Sequence, residues 1–211
     1  MKKMPAPLLV AIVGGSGAGK SWLAGRLQSI LGTKAARLSL DDFYRERPGL
    51  TLARRARINF DHPRAIDWPR VERVLRDCLA WRTTRVPRYD FKTHARLPRS
   101  RILRPKPLIL LEGLWLLRNP KLRRFFGASI YIDCPAKVRL SRRLRRDSSL
   151  RGRSAESVRR QFRNVVEPMN TRFVTPQARR AGFFLKTPIT NADVHHVAVL
   201  LLEQLNRGIQ K

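Results

Sequence analysis

The chain has 211 residues, 43% of them hydrophobic, and its 45 Lys and Arg against 15 Asp and Glu give a net charge of +30. This composition excludes an intrinsically disordered chain and is typical of one globular domain, here residues 1–211. No apolar run approaches the roughly 18 residues of a membrane helix, and Cys78 and Cys134 are too far apart for a disulfide framework or a zinc site. We therefore expect a cytoplasmic protein without a membrane partner.

The positive charge has two interpretations. A balance of this kind is found in proteins that bind nucleic acid, but it also arises from a solvated charged surface. Basic residues are spread along this chain and are dense only in "RLSRRLRRDSSLRGR", residues 139–153. We favour the solvated surface and expect no specific nucleic-acid partner.

Aliphatic segments alternate with helical patterns along the chain, which is typical of an α/β fold with a parallel sheet core flanked by helices. Strands are predicted at residues 8–13, 37–40, 107–113, 129–134 and 182–186. Helices are predicted from residue 20 and at 67–81, 135–147, 154–179 and 192–207. Pro168 should kink or divide the 154–179 helix. Segments 45–62 and 83–105, rich in Arg and Pro, should be loops or a small β insertion over the site.

A glycine-rich stretch, "GGSGAGKSW", follows the first predicted strand directly. It fits the P-loop pattern G-x-x-x-x-G-K-[ST], and it lies between a strand and a helix as a P-loop requires. Lys20 should reach the β and γ phosphates of ATP, and the Ser21 hydroxyl should bind Mg²⁺. The alternative is a glycine-rich turn without a ligand. The residues predicted to surround the nucleotide are Gly14, Gly15, Ser16, Gly17, Ala18, Gly19, Lys20, Ser21 and Trp22.

Two carboxylates and an arginine cluster are further candidates for the site. The carboxylates follow or end predicted strands, and most of the arginines belong to a predicted helix. Asp41 follows the second predicted strand, at the sheet edge where ligands bind, although it could instead cap a short helix. Glu112 ends an apolar strand, as the Mg²⁺-binding acid of a P-loop protein does, and an unpaired charge there would be costly. The arginines of residues 139–153 form either a solvated helix face or a lid over phosphates, because close like charges favour an anion between them.

Several motifs together resemble those of uridine kinases (uridine-cytidine kinases), P-loop kinases of the phosphoribulokinase and uridine kinase superfamily. They are "LSLDDFYR", "INFDHPRAID", "VPRYDFKTHARL", "LLEGLW", "IYIDCPAKVRLSRRLRRD" and "RGRSAESVRRQFRNVVEPMNTRFVTPQ". The resemblance runs from about residue 8 to about residue 180. It implies a P-loop NTPase fold with a small β insertion at about 83–105, a helical lid at about 143–160, and a homo-oligomer, often a tetramer.

The resemblance also implies roles in phosphoryl transfer. Asp41 matches the acid that orients and deprotonates the acceptor 5′-hydroxyl. Ser21 and Glu112 match the Mg²⁺ environment, with Glu112 acting through water. Arg146 and Arg151 match lid cations that face the phosphates. Together with Lys20 of the P-loop, these residues are the predicted catalytic and metal-binding groups.

A second set of residues is implied to bind the nucleoside. Asp61 and Arg143 match the pair that binds the ribose hydroxyls, although Asp61 could instead cap the turn at His62 and Pro63. The residues that match the surroundings of the pyrimidine are Tyr89, His94, Arg153 and Gln161. A structural histidine is the alternative for His94.

The implied activity is ATP-dependent phosphorylation of the 5′-hydroxyl of uridine or cytidine in pyrimidine salvage. The chain departs from the family pattern at three places. Asp42 stands where many relatives have Ser, and "SSLRGR" lacks the acidic residue that usually precedes the last Arg-Gly-Arg. The segment "FFLKTPITNADV" lacks the usual acid and the Pro-x-Gly that ends the strand. One alternative is a sister kinase for another ribosyl or small-alcohol acceptor. Another is a basic P-loop ATPase that acts on nucleic acid.

Overall fold

The computed structural model describes residues 5–209, apart from the side chains of residues 150, 151, 208 and 209. The strands are β1 (Leu8–Gly14), β2 (Ala35–Ser39), β3 (Thr84–Val86), β4 (Tyr89–Asp90), β5 (Ala95–Arg96), β6 (Arg101–Leu103), β7 (Leu108–Gly113), β8 (Ala128–Asp133) and β9 (Phe183–Lys186). The helices are α1 (Lys20–Leu31), α2 (Leu52–Ala56), α3 (Trp68–Leu79), α4 (Pro120–Arg123), α5 (Ala136–Arg151), α6 (Ala155–Gln161), α7 (Glu167–Met169) and α8 (Asn191–Ile209).

The central sheet has five parallel strands in the order β2-β7-β1-β8-β9. Each of them is one of the strands predicted from the sequence, with ends shifted by at most two residues. The prediction succeeds because both faces of a parallel sheet are covered, so its strands are nearly continuous hydrophobic runs. The predicted α/β class, with a parallel sheet core flanked by helices, is confirmed.

Successive side chains of β1 enter two different core layers. Leu9, Ala11 and Val13 pack with α3 on one face of the sheet, and Val10 and Ile12 pack with α1 and α8 on the other. Helices therefore cover both faces and leave the carboxyl edge for the loops that carry polar residues. Within residues 5–209, no helix combines the length and apolar character needed to cross a membrane.

The predicted 154–179 helix is a continuous helical path whose hydrogen bonding changes along its length. After α6, residues Phe162–Val166 form a π-helical turn, α7 follows, and Asn170–Val174 form a second π-helical turn before a 3₁₀ turn at Thr175–Arg180. Pro168 lies in α7 between the two π-helical turns. Because proline has no N–H to donate to residue i−4, it divides the helix as predicted.

Two short segments lie over the carboxyl edge of the sheet. The stretch predicted as a loop or small β insertion at 83–105 contains two antiparallel pairs, β3 with β6 and β4 with β5. The stretch at 45–62 contains only the short helix α2, which the Thr51 side chain caps. These segments place aromatic side chains near the P-loop.

Candidate active site

The predicted P-loop lies where the connections between strands run to opposite sides of the sheet. The connection that leaves β1 leads to β2 on one side, and the connection that leaves β8 leads to β9 on the other. A crevice at the carboxyl ends of the strands results, and this is where open α/β sheets bind ligands.

The backbone of the P-loop forms a cradle that only glycine permits. Gly17 and Gly19 have φ angles of +86° and +104°, and a Cβ on Gly17 would lie 2.6 Å from the Arg139 carbonyl oxygen. The Lys20 Nζ donates to the Gly15 carbonyl oxygen at 3.1 Å. No side chain caps the N-terminus of α1, so its first N–H groups are available to an anion. This geometry fits the phosphates of ATP better than a turn without a ligand.

Next to the cradle, Glu112 accepts two hydroxyl hydrogen bonds on one carboxylate oxygen. Ser21 Oγ donates to Oε1 at 3.0 Å and Ser39 Oγ donates to the same atom at 2.8 Å. Burial, and next the neighbouring Asp41 carboxylate, raise the pKa of Glu112, whereas burial lowers the pKa of Lys20. The donors here are hydroxyl and carboxylate oxygens, which suit Mg²⁺, and a cation would offset the repulsion between the two carboxylates. Ser21 and Glu112 therefore fit the predicted Mg²⁺ environment.

The carboxylates of Asp41 and Asp42 line different cavities. The 3₁₀ turn Leu40–Phe43 is capped by the Ser39 side chain, which accepts from the Asp41 N–H at 3.3 Å. The Asp41 side chain is therefore not needed as the cap and lines the cleft that contains the P-loop. Asp42 lines a smaller cavity together with Arg101.

One cleft of about 1020 Å³ brings together most of the side chains that the sequence singled out. The predicted residues that line it are Ser16, Gly17, Gly19, Lys20, Ser21, Trp22, Asp41, Asp61, Tyr89, His94, Glu112, Arg143, Arg146, Arg153 and Gln161. Gly14, Gly15 and Ala18 belong to the P-loop without lining the cleft. The side chain of Arg151 lies outside the described residues, so its role stays a prediction.

In the same cleft, Asp61 lies in the field of the buried Arg143. Burial raises the pKa of Asp61 and the positive charge of Arg143 opposes this effect. Arg143 donates to Ser16 Oγ at 2.6 Å and to Gln161 Oε1 at 3.1 Å, and it is 5% exposed. The caps of the nearby turn come from other side chains, since Asn59 accepts from the Asp61 N–H and His62 from the Arg64 N–H.

Aromatic rings form a wall beside Asp61. The Phe60 and His94 rings stack with centroids 5.1 Å apart and an interplanar angle of 11°. His94 has a φ of +49°, a left-handed conformation that non-glycine residues adopt mainly at turns and functional sites. The hydroxyl of Tyr89 is buried and has no hydrogen-bond partner among the described residues. The wall thus offers the flat face of the stacked rings and the Tyr89 hydroxyl as a possible hydrogen-bonding group.

Some arginines of residues 139–153 pair with carboxylates of the protein itself. Arg139 donates to Glu167 at 2.6 Å, and Arg146 donates to the buried Asp147 at 2.8 Å. Arg153 donates to Gln161, and also to Ser157 at 3.0 Å. For Arg139, the nearby negative charge comes from Glu167 of the protein itself.

The sequence reasoning did not single out Ser39 and Phe60, and it did not predict the contact that Arg142 makes. Ser39 bonds Glu112, Phe60 stacks on His94, and Arg142 donates to the Ala18 carbonyl oxygen at 3.1 Å. Ser39 could have been found from its position at the end of a predicted strand. The other two contacts join segments far apart in the chain, for which the sequence carries no direct signal.

Comparison with known proteins finds relatives that cover most of the chain. A model of the Phosphoribulokinase / Uridine kinase family matches residues 9–192. A uridine kinase of Chloroflexus aggregans is 39% identical over 176 residues, covering 83% of this chain and 84% of that protein. A uridine kinase of Staphylococcus carnosus is 37% identical over 183 residues, covering 86% and 88%. Phosphoribulokinase from Rhodobacter spheroides has a similar fold, with a TM-score of 0.64 at 16% identity over 86% of this chain and 70% of that one.

Proposed function

Because this chain belongs to the phosphoribulokinase / uridine kinase family, we propose that it transfers the γ-phosphoryl group of ATP to the 5′-hydroxyl of uridine or cytidine. The observation that carries the proposal is that one cleft contains both sets of groups, Lys20 and the P-loop together with Asp61, Arg143 and the aromatic wall. Such a reaction would return free pyrimidine nucleosides to the nucleotide pool, as pyrimidine salvage requires.

At the phosphate end, the proposed roles follow from the donors and acceptors present. The P-loop N–H groups and Lys20 hold the phosphates, and Ser21 with Glu112, the latter through water, would hold Mg²⁺. Mg²⁺ held by these residues would supply positive charge to the phosphates. Arg146 lines the same cleft and faces the charge that develops on transfer.

Asp41 is the proposed group that orients the acceptor. Its carboxylate accepts a hydrogen bond from the 5′-hydroxyl and takes that proton as the 5′-oxygen bonds to the γ-phosphorus. The bond from this phosphorus to the bridging oxygen breaks, and ADP leaves with the electron pair. Because a carboxylate is a weak base, its main contribution is alignment of the hydroxyl in a loose transition state.

The acceptor end suits a ribosyl group that carries a planar base. Asp61 accepts hydrogen bonds from the cis-diol, and the flat face of Phe60 and His94 lies beside the base. Arg143 and Arg153 both donate to the Gln161 Oε1. This arrangement leaves the Gln161 amide NH₂ as a donor for a pyrimidine carbonyl.

A panel of acceptors tests the proposal. With Mg-ATP, uridine and cytidine should yield their 5′-monophosphates and ADP, while adenosine, nicotinamide riboside, ribulose 5-phosphate and glycerate should react poorly. A Lys20→Ala protein purified in parallel reports any contaminating kinase. Preference for one of the other acceptors would contradict the pyrimidine assignment and favour a sister kinase.

A further inference from the structure

A second cavity of about 680 Å³ lies next to the active-site cleft. Consecutive residues separate the two spaces, since Asp61 lines the cleft and His62 the second cavity, and Leu114 lines the cleft and Trp115 the second cavity. Its volume is within the range of small-ligand sites. We call it the arginine cavity, after its lining residues Arg45, Arg47, Arg64, Arg118 and Arg172.

The arginine cavity keeps most of its positive charge, although the Asp67 carboxylate lies in the electrostatic field of Arg45. None of the lining residues is acidic, and no ion pair to a carboxylate within 4.0 Å joins any of the five arginines to the residues that the structure describes. Arg139 and Arg146 of α5 differ in this respect, because Glu167 lies against the first and Asp147 against the second. Five guanidinium groups around one concave space favour an anion between them.

The other polar groups in the lining also present donors. Trp115 is fully buried, and its indole N–H has no hydrogen-bond partner within the described part of the chain. The Asn119 Oδ1 accepts from the Lys121 N–H at 2.9 Å, which leaves the Asn119 NH₂ group free to donate to a ligand. His62 Nδ1 accepts from the Arg64 N–H at 3.0 Å, so the neutral ring carries its proton on Nε2.

Aromatic packing holds two of the arginines in place. The guanidinium groups of Arg118 and Arg172 lie 5.1 Å and 5.2 Å from the centre of the Phe173 ring, and the His62 ring meets Phe173 edge-on at 5.1 Å. Cation–π contacts of this kind reduce the side-chain entropy that a ligand would otherwise have to remove.

We propose that the arginine cavity binds a polyphosphate anion, either free or as the triphosphate chain of a nucleotide, at a site separate from the P-loop. Guanidinium groups match phosphate oxygens in pairs, and a chain of phosphates offers enough acceptors and charge for several arginines at once. The concave shape favours a small ligand over a duplex surface.

The electrostatics of His62 support this assignment. Burial lowers its pKa first, and the positive charges of Arg64, Arg118 and Arg172 lower it further. A polyphosphate among these arginines would offset their repulsion of the imidazolium and raise the His62 pKa.

Calorimetric titration with inorganic tripolyphosphate tests the proposal. The wild-type chain should bind two equivalents, one at the P-loop and one in the arginine cavity. Lys20→Ala should weaken the first, and Arg64→Ala/Arg118→Ala should weaken the second by about tenfold or more, the scale of lost hydrogen bonds to charged groups. Arg85 and Arg99 are exposed, as Arg64 and Arg118 are, but do not line the arginine cavity, so the control Arg85→Ala/Arg99→Ala removes the same charge and should keep both sites.

Equal weakening by the control pair would show diffuse charge attraction and overturn the proposal. Dependence on Arg64 and Arg118 for a single-stranded polynucleotide but not for tripolyphosphate would also overturn it. If UTP binds the cavity as tightly as tripolyphosphate, the phosphate chain alone is recognised, and tighter binding of UTP identifies a nucleotide. Both results support the site.

A second measurement needs no change in the cavity and therefore does not depend on the folding of the arginine variants. In the Lys20→Ala protein, NMR titration of His62 should give a higher pKa with saturating tripolyphosphate than without it. An unchanged pKa would place the anion elsewhere and refute the proposal.

Discussion

Two neighbouring carboxylates after β2, Asp41 and Asp42, have different surroundings. This difference allows a test of the role proposed for Asp41. Asp41 lines the cleft with the P-loop, whereas Asp42 lines a smaller cavity with Arg101. We expect Asp41→Asn to keep ATP binding and lower kcat by about 100-fold, the scale of lost proton acceptance and positioning. Asp42→Asn is the matched control and should change kcat much less. The reverse order in steady-state kinetics would contradict the assignment of Asp41.

Asp61 should discriminate ribose from deoxyribose. A carboxylate that accepts both hydroxyls of a cis-diol loses one charged hydrogen bond with a deoxyribose, so 2′-deoxyuridine should have a kcat/KM about 10- to 150-fold below that of uridine. Asp61→Ala should reduce kcat/KM for both substrates and narrow the difference between them.

Asn59→Ala is the control for the alternative in which this turn has only a structural role. It removes a side chain that accepts from the Asp61 N–H at 3.0 Å but keeps the carboxylate. The variant should be less stable and keep the preference for ribose. An unchanged uridine to 2′-deoxyuridine ratio in Asp61→Ala would refute a role in ribose binding.

The P-loop backbone has positions at which only glycine fits. Gly17 and Gly49 both have positive φ angles, +86° and +83°, but only at Gly17 would a Cβ clash, at 2.6 Å from a carbonyl oxygen. Both alanine variants therefore share a backbone penalty of about 1 kcal/mol, and only Gly17→Ala should also displace the loop from the start of α5. We expect a large rise in the KM for ATP in Gly17→Ala and little change in Gly49→Ala. Equal KM values would show that the cradle tolerates a side chain.

The N-terminus of α3 is joined to the β insertion by Asp67. Its carboxylate accepts from the Arg70 N–H at 3.3 Å and from Arg96 at 2.9 Å. Partial burial raises the pKa of Asp67, but the hydrogen bonds from Arg96 and Arg70 outweigh it and hold the pKa below its ordinary value. This stabilisation is present above the unfolded pKa of about 4 and is lost as the pH falls through the lower folded pKa.

Asp67→Ala should therefore lower the free energy of unfolding at neutral pH by about 1 kcal/mol or more, the typical effect of a lost cap. In urea unfolding measured at a series of pH values, the difference from wild type should shrink toward about pH 3. Glu46→Ala, which removes an exposed carboxylate of the same charge, is the control measured in parallel. A difference that grows in acid would contradict the sign of the pKa shift.

The net charge of +30 is a property of the whole molecule and allows a test of the nucleic-acid alternative. We expect single-stranded polynucleotide to adhere weakly at low salt, to dissociate as salt is added, and to leave ATP hydrolysis unchanged. The measurement is ADP release with and without polynucleotide at two ionic strengths. Strong stimulation, together with no phosphorylation of any nucleoside, would favour the ATPase that acts on nucleic acid.

Local patterns in the sequence were sufficient to predict the central sheet and the P-loop. The apolar runs predicted all the strands of the central sheet, and the glycine-rich stretch after β1 predicted the P-loop cradle. Asp41 and Glu112 were found because the carboxyl ends of parallel strands meet at one edge. Each of these inferences depends on neighbouring residues or on a general rule of parallel sheets.

Only the tertiary structure decided which distant side chains meet. The bond from Ser39 to Glu112, the pairing of Arg139 with Glu167, the stacking of Phe60 on His94 and the clustering of the arginine cavity all join different segments. Such contacts depend on how crossovers and insertions pack over the sheet, and the hydrophobic periodicity of one segment contains no information about them. For the same reason, the sequence could identify arginines as charged but not which of them the protein itself neutralises.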